Sequence, residues 1–417
     1  MSTACWEDRA ARAALYLAGA SAVTVLVSIA ASQLLLALAL VALLVSRLRL
    51  RMPAVWVPLA VFVAGTLIAI LASEDPGAGR PQIRKMFVLL MLPVVYSAVR
   101  TVGQARALVL GWAAVGSLSA AVGLIQFTEK LRAARSAGAG FYDYYIAERI
   151  SGFMSHWMTF AGQLMLAGLL LAAFLFFSPH ARGRAKWMGV IAAALIGAAL
   201  ALNMTRSIWL AGALALLYLV WHWKRPLVWL APVALAALVA AGPGSLRARL
   251  ISIVQPRREV DSNLHRIVCW RTGLRMVQAH PWLGLGPEVV RLRFHDFLPP
   301  DAPQPLPTGW YGHLHNLYLH YAAERGIPTA MAVVWLLAQA FWELHRAARR
   351  APPAGRDDGR FLLHGAAACV LGVAVAGFFE VNLGDSEVLM MFLAVLACGY
   401  LAREQVEAGH GRIAAGA

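Results

Sequence analysis

The residues of this chain best suited to chemistry are cations and histidines placed at the ends of apolar runs. Arg84 and Lys85 stand where one run begins, and Arg206 falls in the tight segment Asn203-Met204-Thr205-Arg206 between two others. Arg266 lies in a long polar segment that closes with Gly312-His313-Leu314-His315-Asn316. A guanidinium is a rigid planar fork that binds phosphate oxygens bidentately. Several forks converging at a bilayer surface would hold a lipid phosphate or diphosphate. A departing diphosphate needs charge stabilisation more than a proton, and arginines supply it without a divalent metal. A hydroxyl acceptor needs a base, and imidazole, which titrates near neutral pH, suits that task. His315 is therefore the expected base and His313 its support.

Each of these residues also has a plainer reading. Arg84 and Lys85 could snorkel to headgroups. Arg206 could pair with a carboxylate such as Glu380 or Asp385, Arg266 could be an ordinary polar-face arginine, and His315 could be bonded to backbone at a helix start. The paired carboxylates Glu74-Asp75 would suit a hard divalent cation, but no second carboxylate cluster accompanies them, and neither metal nor cofactor is expected. The run Phe141-Tyr142-Asp143-Tyr144-Tyr145 could stack on sugars or anchor at the interface.

These residues need a scaffold, and composition says which kind. Of 417 residues, 60 % are apolar and only 14 % charged, far from the mix of a soluble domain. That excludes disorder and argues against a soluble enzyme; continuous apolar runs exclude a transmembrane β-barrel. The net charge of +16 invites a nucleic-acid reading, but polytopic proteins gather Lys and Arg in cytoplasmic loops for topology alone, and no nucleic acid is expected. Cys5, Cys269, Cys369 and Cys398 show no CxxC spacing, so no metal cluster or disulfide framework is expected.

A helix crosses the bilayer core in roughly 20 apolar residues. The runs predict an all-α polytopic membrane protein of about twelve spans. Nine lie within residues 1–242, at 13–46 (two, broken near Ser28–Gln33), 53–72, 85–99, 105–127, 156–177, 187–203, 206–222 and 226–242. Residues 243–316 form a loop with amphipathic helices, the main one Leu264–Ala279 after the capping signal Asp261-Ser262-Asn263. Its Arg266, Arg271 and Arg275 would face headgroups or a cavity. Spans ten to twelve lie in 317–402, at 317–343, 361–380 and 385–402, and 403–417 is a cytoplasmic tail. With both ends inside, 19 Lys and Arg fall in inward short segments and 9 in outward ones, which places the 243–316 loop outside. Arg84, Lys85, Arg206 and the histidines then share the outer boundary, where topology alone does not ask for cations.

Three stretches carry a resemblance. They are Thr205-Arg206-Ser207-Ile208-Trp209; His265-Arg266 with Trp270 and His280-Pro281-Trp282-Leu283-Gly284-Leu285-Gly286; and His315-Asn316-Leu317-Tyr318-Leu319 followed by Glu324-Arg325-Gly326-Ile327. In this order and topology the chain resembles the O-antigen ligase family, within the superfamily of O-antigen polymerases and O-oligosaccharyltransferases. The resemblance implies a metal-independent glycosyltransferase of the C-type membrane fold in the bacterial inner membrane. Its active site would face the periplasm, moving a glycan from undecaprenyl diphosphate to lipid A–core oligosaccharide. His315 matches the family's essential histidine, Asn316 its polar neighbour, and Arg206 and Arg266 the motif arginines; Arg84 matches by position at the start of span four. One departure stands out: the family's Gly-x-x-Gly after the histidine motif is here Gly326-Ile327-Pro328-Thr329, which leaves the sister activities open. A protein O-oligosaccharyltransferase would share the site but usually carries a long C-terminal periplasmic extension. A polymerase typically has two large periplasmic loops, whereas here the 128–155 segment is a modest second. A transporter of lipid-linked glycan would place ionisable groups in mid-membrane, where this chain is almost wholly apolar.

Overall fold

With no water to satisfy its peptide groups, apolar chain in a bilayer must bond to itself, and helices do so within one segment. The computed structural model is helical accordingly and, among the described residues, has no strand. It describes residues 3–138, 140–233, 236, 240, 244, 247, 249, 263–351 and 359–415. The expected capping residues Asp261 and Ser262 and seven of the seventeen residues of the 226–242 run lie outside these.

The helices are α1 (Thr3–Thr24), α2 (Ile29–Val45), α3 (Trp56–Leu71), α4 (Arg80–Lys85), α5 (Met91–Ala98), α6 (Val102–Ser136), α7 (Phe141–Ala147), α8 (Trp157–Phe177), α9 (Gly183–Asn203), α10 (Arg206–Trp223), α11 (Asn263–Ala279), α12 (Val290–Arg293), α13 (Leu317–Arg350), α14 (Gly359–Ala376) and α15 (Ser386–Ala415). Six of them, α6, α8, α9, α13, α14 and α15, are long and apolar enough to cross a membrane; α2 and α3 are apolar but shorter. The chain is thus a multi-pass helical membrane protein. The run at 85–99 is not one continuous α-helix. A 3-10 stretch, Met86–Leu90, joins α4 to α5, just where Pro93 cannot donate to the Leu89 carbonyl.

The apolar windows of α8, α14 and α15 are 78 % buried and that of α9 only 17 %, so the first three form the centre and α9 lies at the rim. Several buried polar groups in this core are paired across helices, which offsets the cost of taking them out of water. Ser21 and Ser32 each donate to the other's carbonyl at 2.7 Å, Trp112 Nε1 donates to Ala22 O at 2.7 Å, and Gln163 Nε2 to Val25 O at 2.9 Å.

A second, smaller core joins α11 to the segments that follow it, around Val268, Met276, Val290, Phe294 and Leu314. The Pro281–Gly286 loop is stitched into α13 at a break in that helix. Gly326 sits at φ +79 and Pro328 has no N–H, so the carbonyls of Ala323 and Glu324 lose their usual helical donors. The loop replaces them: Leu285 N–H donates to Ala323 O and Gly286 N–H to Glu324 O, both at 2.9 Å, while Ile327 N–H turns away to Pro281 O at 2.8 Å. A Cβ on Gly326 would lie 1.9 Å from Trp282 O and one on Gly284 2.3 Å from Glu324 C. The two glycine-bearing motifs are thus halves of one joint.

Thr329, the departure noted in sequence, is buried against α3, where a Cβ on Gly65 would lie 2.3 Å from its Oγ1. The space that the threonine takes is provided by a glycine on the neighbouring helix.

Candidate functional site

His315 is held by its surroundings before it does anything. Its backbone is left-handed at φ +48, a conformation a non-glycine residue keeps only when its neighbours impose it. Its N–H donates to His313 Nδ1 at 3.2 Å, and its carbonyl accepts from Trp270 Nε1 at 3.4 Å. Gly273 on α11 makes room beside it, since a Cβ there would lie 2.5 Å from Leu314 Cδ1. Directly after it, Asn316 caps α13: its Oδ1 accepts from Leu319 N–H at 2.9 Å and its Nδ2 donates to Phe378 O at 3.1 Å. Leu317 N–H donates to Gly377 O at 2.7 Å and Tyr318 OH to Ala374 O at 2.7 Å. These bonds zip the start of α13 to the turn after α14, and that turn carries Glu380.

Glu380 is the centre of the site. It is 3 % exposed, forms an ion pair with Arg266 through Oε1, and places Oε2 3.5 Å from His315 Nδ1. Neither Oε2 nor Nδ1 has a formed hydrogen bond, so the two groups face each other at slightly more than bonding distance. Ser207 Oγ also donates to Oε1, at 3.5 Å. Burial alone would raise the Glu380 carboxyl, but Arg266 and then His315 outweigh it and hold it below its ordinary value. On the far side of the ring, His315 Nε2 lies 3.4 Å from Trp310 O.

His313 and His265 flank His315, with ring centroids 4.1 and 4.9 Å away. Burial first, then the His315 beside it, pushes His313 down to about 2 and His265 down to about 4, so both flanking rings are neutral at working pH. His265 Nε2 lies 3.8 Å from Cys269 Sγ one turn along α11, and burial pushes that thiol up to about 12. His265, Cys269 and His315 are the group among the described residues whose ligand atoms could share one metal ion.

The arginines arrive from different elements. Arg206, half-buried at the start of α10, donates through Nη2 to Asn263 Oδ1 at 2.7 Å; Asn263 opens α11, three residues before Arg266. The turn before Arg206 is locked by Met204 at φ +56 and by buried Asn203, whose Nδ2 donates to Ile150 O at 2.9 Å and Trp157 O at 3.2 Å. Two more arginines meet this turn. Arg149 Nη1 donates to Thr205 Oγ1 at 3.1 Å, and Arg249 Nε donates to Met204 O at 3.1 Å. Burial, then the nearby Arg249, pulls Arg149 down to about 9.

Lys85 belongs to an adjoining cluster. It lies 3.8 Å from Glu288, which accepts from Gln82 Nε2 at 2.5 Å, and Glu288 N–H donates to Glu324 Oε1 at 2.7 Å. Glu324 in turn pairs with buried Arg325, stacked over Tyr321 at 4.5 Å. A cavity of about 300 Å³ is lined by residues of both clusters, among them Lys85, His320, His313 and Glu380. Asn316 lines a different space, an apolar groove of about 790 Å³ between α13 and α14.

Of the residues singled out in sequence, His315, His313, Arg266 and Asn316 come together, with Arg206 linked to them through Asn263. Lys85 lines the same cavity as His313 and Glu380. Arg84 does not: it is exposed and lines neither space. Glu74 pairs with Arg293 of α12 at 2.6 Å, and Asp75 accepts from Ala78 N–H in its own loop at 3.1 Å. The aromatic run stacks on itself, Phe141 on Tyr145 at 5.1 Å, with Tyr145 wholly buried; these two rings serve packing. Arg271 pairs with Asp301 at 2.6 Å and so faces the loop rather than the cavity. Glu380, Arg149 and Arg249 were not predicted as site residues. In sequence, Glu380 stands out only as a possible partner for Arg206, and no motif singles out Arg149 or Arg249.

Fold and site together define a polytopic helical membrane protein with a buried histidine–carboxylate–arginine centre. Residues 191–334 match the family model described as O-antigen ligase, so this part of the chain carries the O-antigen ligase domain. All three stretches that carry the resemblance fall inside it. No curated protein matches the chain.

Proposed function

We infer that the chain has an activity of the O-antigen ligase and polymerase type, which the family match over residues 191–334 supports. We propose that it is an O-antigen ligase of the bacterial inner membrane, with about twelve spans in the C-type arrangement and its site on the periplasmic face. The donor is undecaprenyl diphosphate-linked O-antigen and the acceptor lipid A–core oligosaccharide. The observation that carries the reading is Glu380, which ties the expected base, His315, to a motif arginine, Arg266.

In this mechanism an acceptor hydroxyl attacks the donor's anomeric carbon as the bond to the diphosphate oxygen breaks, with inversion for a single displacement. Glu380 favours the proton on His315 Nδ1, leaving Nε2 to take the hydroxyl proton. The imidazolium so formed faces Glu380 on one side and the Trp310 carbonyl on the other. Undecaprenyl diphosphate leaves with its charge compensated by Arg206 and Arg266, and no metal is required. The apolar groove beside Asn316 suits a prenyl chain, and Lys85, which lines the cavity, suits a second anionic group.

The test combines purified protein, lipid-linked glycan, lipid A–core acceptor and excess EDTA. Wild type forms glycosylated lipid A–core and His315→Ala forms none above background. Product from His315→Ala at the normal rate would overturn the role of the histidine. Intact donor with wild type, or glycan flux into proteoliposomes without covalent product, would overturn ligation.

A further inference from the structure

The three side chains that meet behind Trp310 have the chemistry of a metal site as well as of a base. His265 and Cys269 are four residues apart on α11 and so project from the same face, and both are buried. His315 enters from the segment before α13. One imidazole nitrogen of each histidine and Cys269 Sγ all lie within 4.8 Å of one another, and His265 Nε2 is 3.8 Å from Sγ. A tetrahedral zinc ion, with bonds of about 2.0 Å to nitrogen and 2.3 Å to sulfur, holds its ligands roughly 3.3–3.6 Å apart. The His265–Cys269 pair at 3.8 Å is already close to that span, and the whole group lies within 4.8 Å. A thiolate with two imidazoles selects borderline and soft ions over Mg²⁺ and Ca²⁺, which take oxygen.

The surroundings complete the case. Glu380 stands behind His315, as carboxylates stand behind metal-bound histidines. Arg266, the cation whose charge bears on the Cys269 thiol, is ion-paired with that same carboxylate. The His265 edge is covered by the loop at Gly309, where a Cβ would lie 2.4 Å from His265 Cδ2, and the Trp310 side chain next to it is largely exposed. The lid over the cluster is thus a surface loop.

We propose that His265, Cys269 and His315 form a site for one Zn²⁺-class ion, and that filling it blocks transfer by occupying the base. Coordination deprotonates the Cys269 thiol, its proton passing to buffer, and takes the imidazole lone pair of His315 that would otherwise accept the acceptor's proton. The ion is an inhibitor, not a cofactor. The inhibition rests on the proposed role of His315; the binding does not.

The experiment therefore reads both. Purified full-length protein in detergent is titrated with Co²⁺, whose sulfur-to-metal charge-transfer band reports thiolate ligation. Wild type takes up about one equivalent with that band, Zn²⁺ displaces it, and Cys269→Ser lacks it. In the transfer assay, wild type and Cys269→Ser match under EDTA, while the Zn²⁺ concentration for half-inhibition rises at least about tenfold in Cys269→Ser. An unchanged melting temperature in Cys269→Ser shows that the fold is kept. Absence of the band in wild type, or the same band in Cys269→Ser, overturns the site. Equal zinc sensitivity of the two proteins overturns the inhibition. A cysteine-dependent band in protein that transfers nothing under any condition leaves the site standing and counts against the ligase reading instead.

Discussion

Glu380 Oε2 lies 3.5 Å from His315 Nδ1 while Oε1 of the same carboxylate is ion-paired with Arg266. One buried charge thus serves two residues brought from distant parts of the chain. It orients the imidazole and fixes the guanidinium, so neither group has to be organised when substrate arrives. Glu380→Gln keeps the shape and removes the charge. The expected result is a fall in kcat of roughly 10²–10⁴, by analogy with carboxylates that orient catalytic histidines. Glu380→Gln also leaves Arg266 without its counter-charge, so a loss of thermal stability accompanies the rate effect. Steady-state kinetics on folded, monodisperse protein checks this, and a near-normal kcat would remove Glu380 from the mechanism.

Asn316 reads in sequence as a polar neighbour of the base, but both ends of its amide are used by the fold: Oδ1 caps α13 and Nδ2 holds Phe378 O. It is a positioning residue. Asn316→Asp keeps the cap but cannot donate, so the 377–380 turn loses one tether and Glu380 drifts from His315. The expected outcome is a reduced kcat with little change in KM and a small loss of stability, about 1 kcal/mol. Asn316→Ala, which also loses the cap, costs about 1 kcal/mol more. A rise in KM alone would instead make Asn316 a substrate contact.

These two residues mark what could be read from sequence and what could not. His315, Arg206 and Arg266 were legible because they sit in short motifs at the outer ends of apolar runs, where topology does not explain them. Helix α11 was legible from its apolar spacing and its start at Asn263. Glu380 was not, because it lies 65 positions after His315 and its environment is created by the Asn316–Phe378 and Leu317–Gly377 bonds. Arg84 and Lys85 were indistinguishable as neighbours; the turn of α4 sends only Lys85 to the cavity. The broken run at 85–99 needed local geometry around Pro93 that hydropathy does not report.

His265 supplies a pH prediction. Its folded value of about 4 lies below the ordinary 6.5, because of burial and then the proximity of His315 and Arg266. As pH falls, the unfolded chain takes up the proton first. The stability linked to neutral His265 is therefore complete above about pH 6.5 and is lost progressively toward pH 4, at an order of magnitude of 3 kcal/mol. His265→Gln should flatten the fall in melting temperature over that window. It will not abolish the fall, since His313 is shifted in the same direction. Equal slopes in wild type and His265→Gln would show that His265 is not held neutral by the fold.

The contact between Gly65 and Thr329 makes the sharpest stability test. A Cβ at position 65 would lie 2.3 Å from Thr329 Oγ1, 2.9 Å from Cγ2 and 3.1 Å from Cβ. The whole branched side chain is in the way, and one stiff χ1 leaves it little room to turn. Gly65→Ala alone should cost about 1–3 kcal/mol through overpacking. Thr329→Gly alone should also destabilise, by emptying the space and adding backbone freedom in α13. Together they should be less harmful than the sum, with a coupling of about 1–2 kcal/mol in the favourable direction. A double-mutant cycle by thermal denaturation in detergent measures this. Additive effects would mean that the glycine on α3 and the threonine on α13 do not compensate each other. Transfer activity per folded molecule should hardly change in the double mutant, because the replaced pair packs two helices and touches neither His315 nor Glu380.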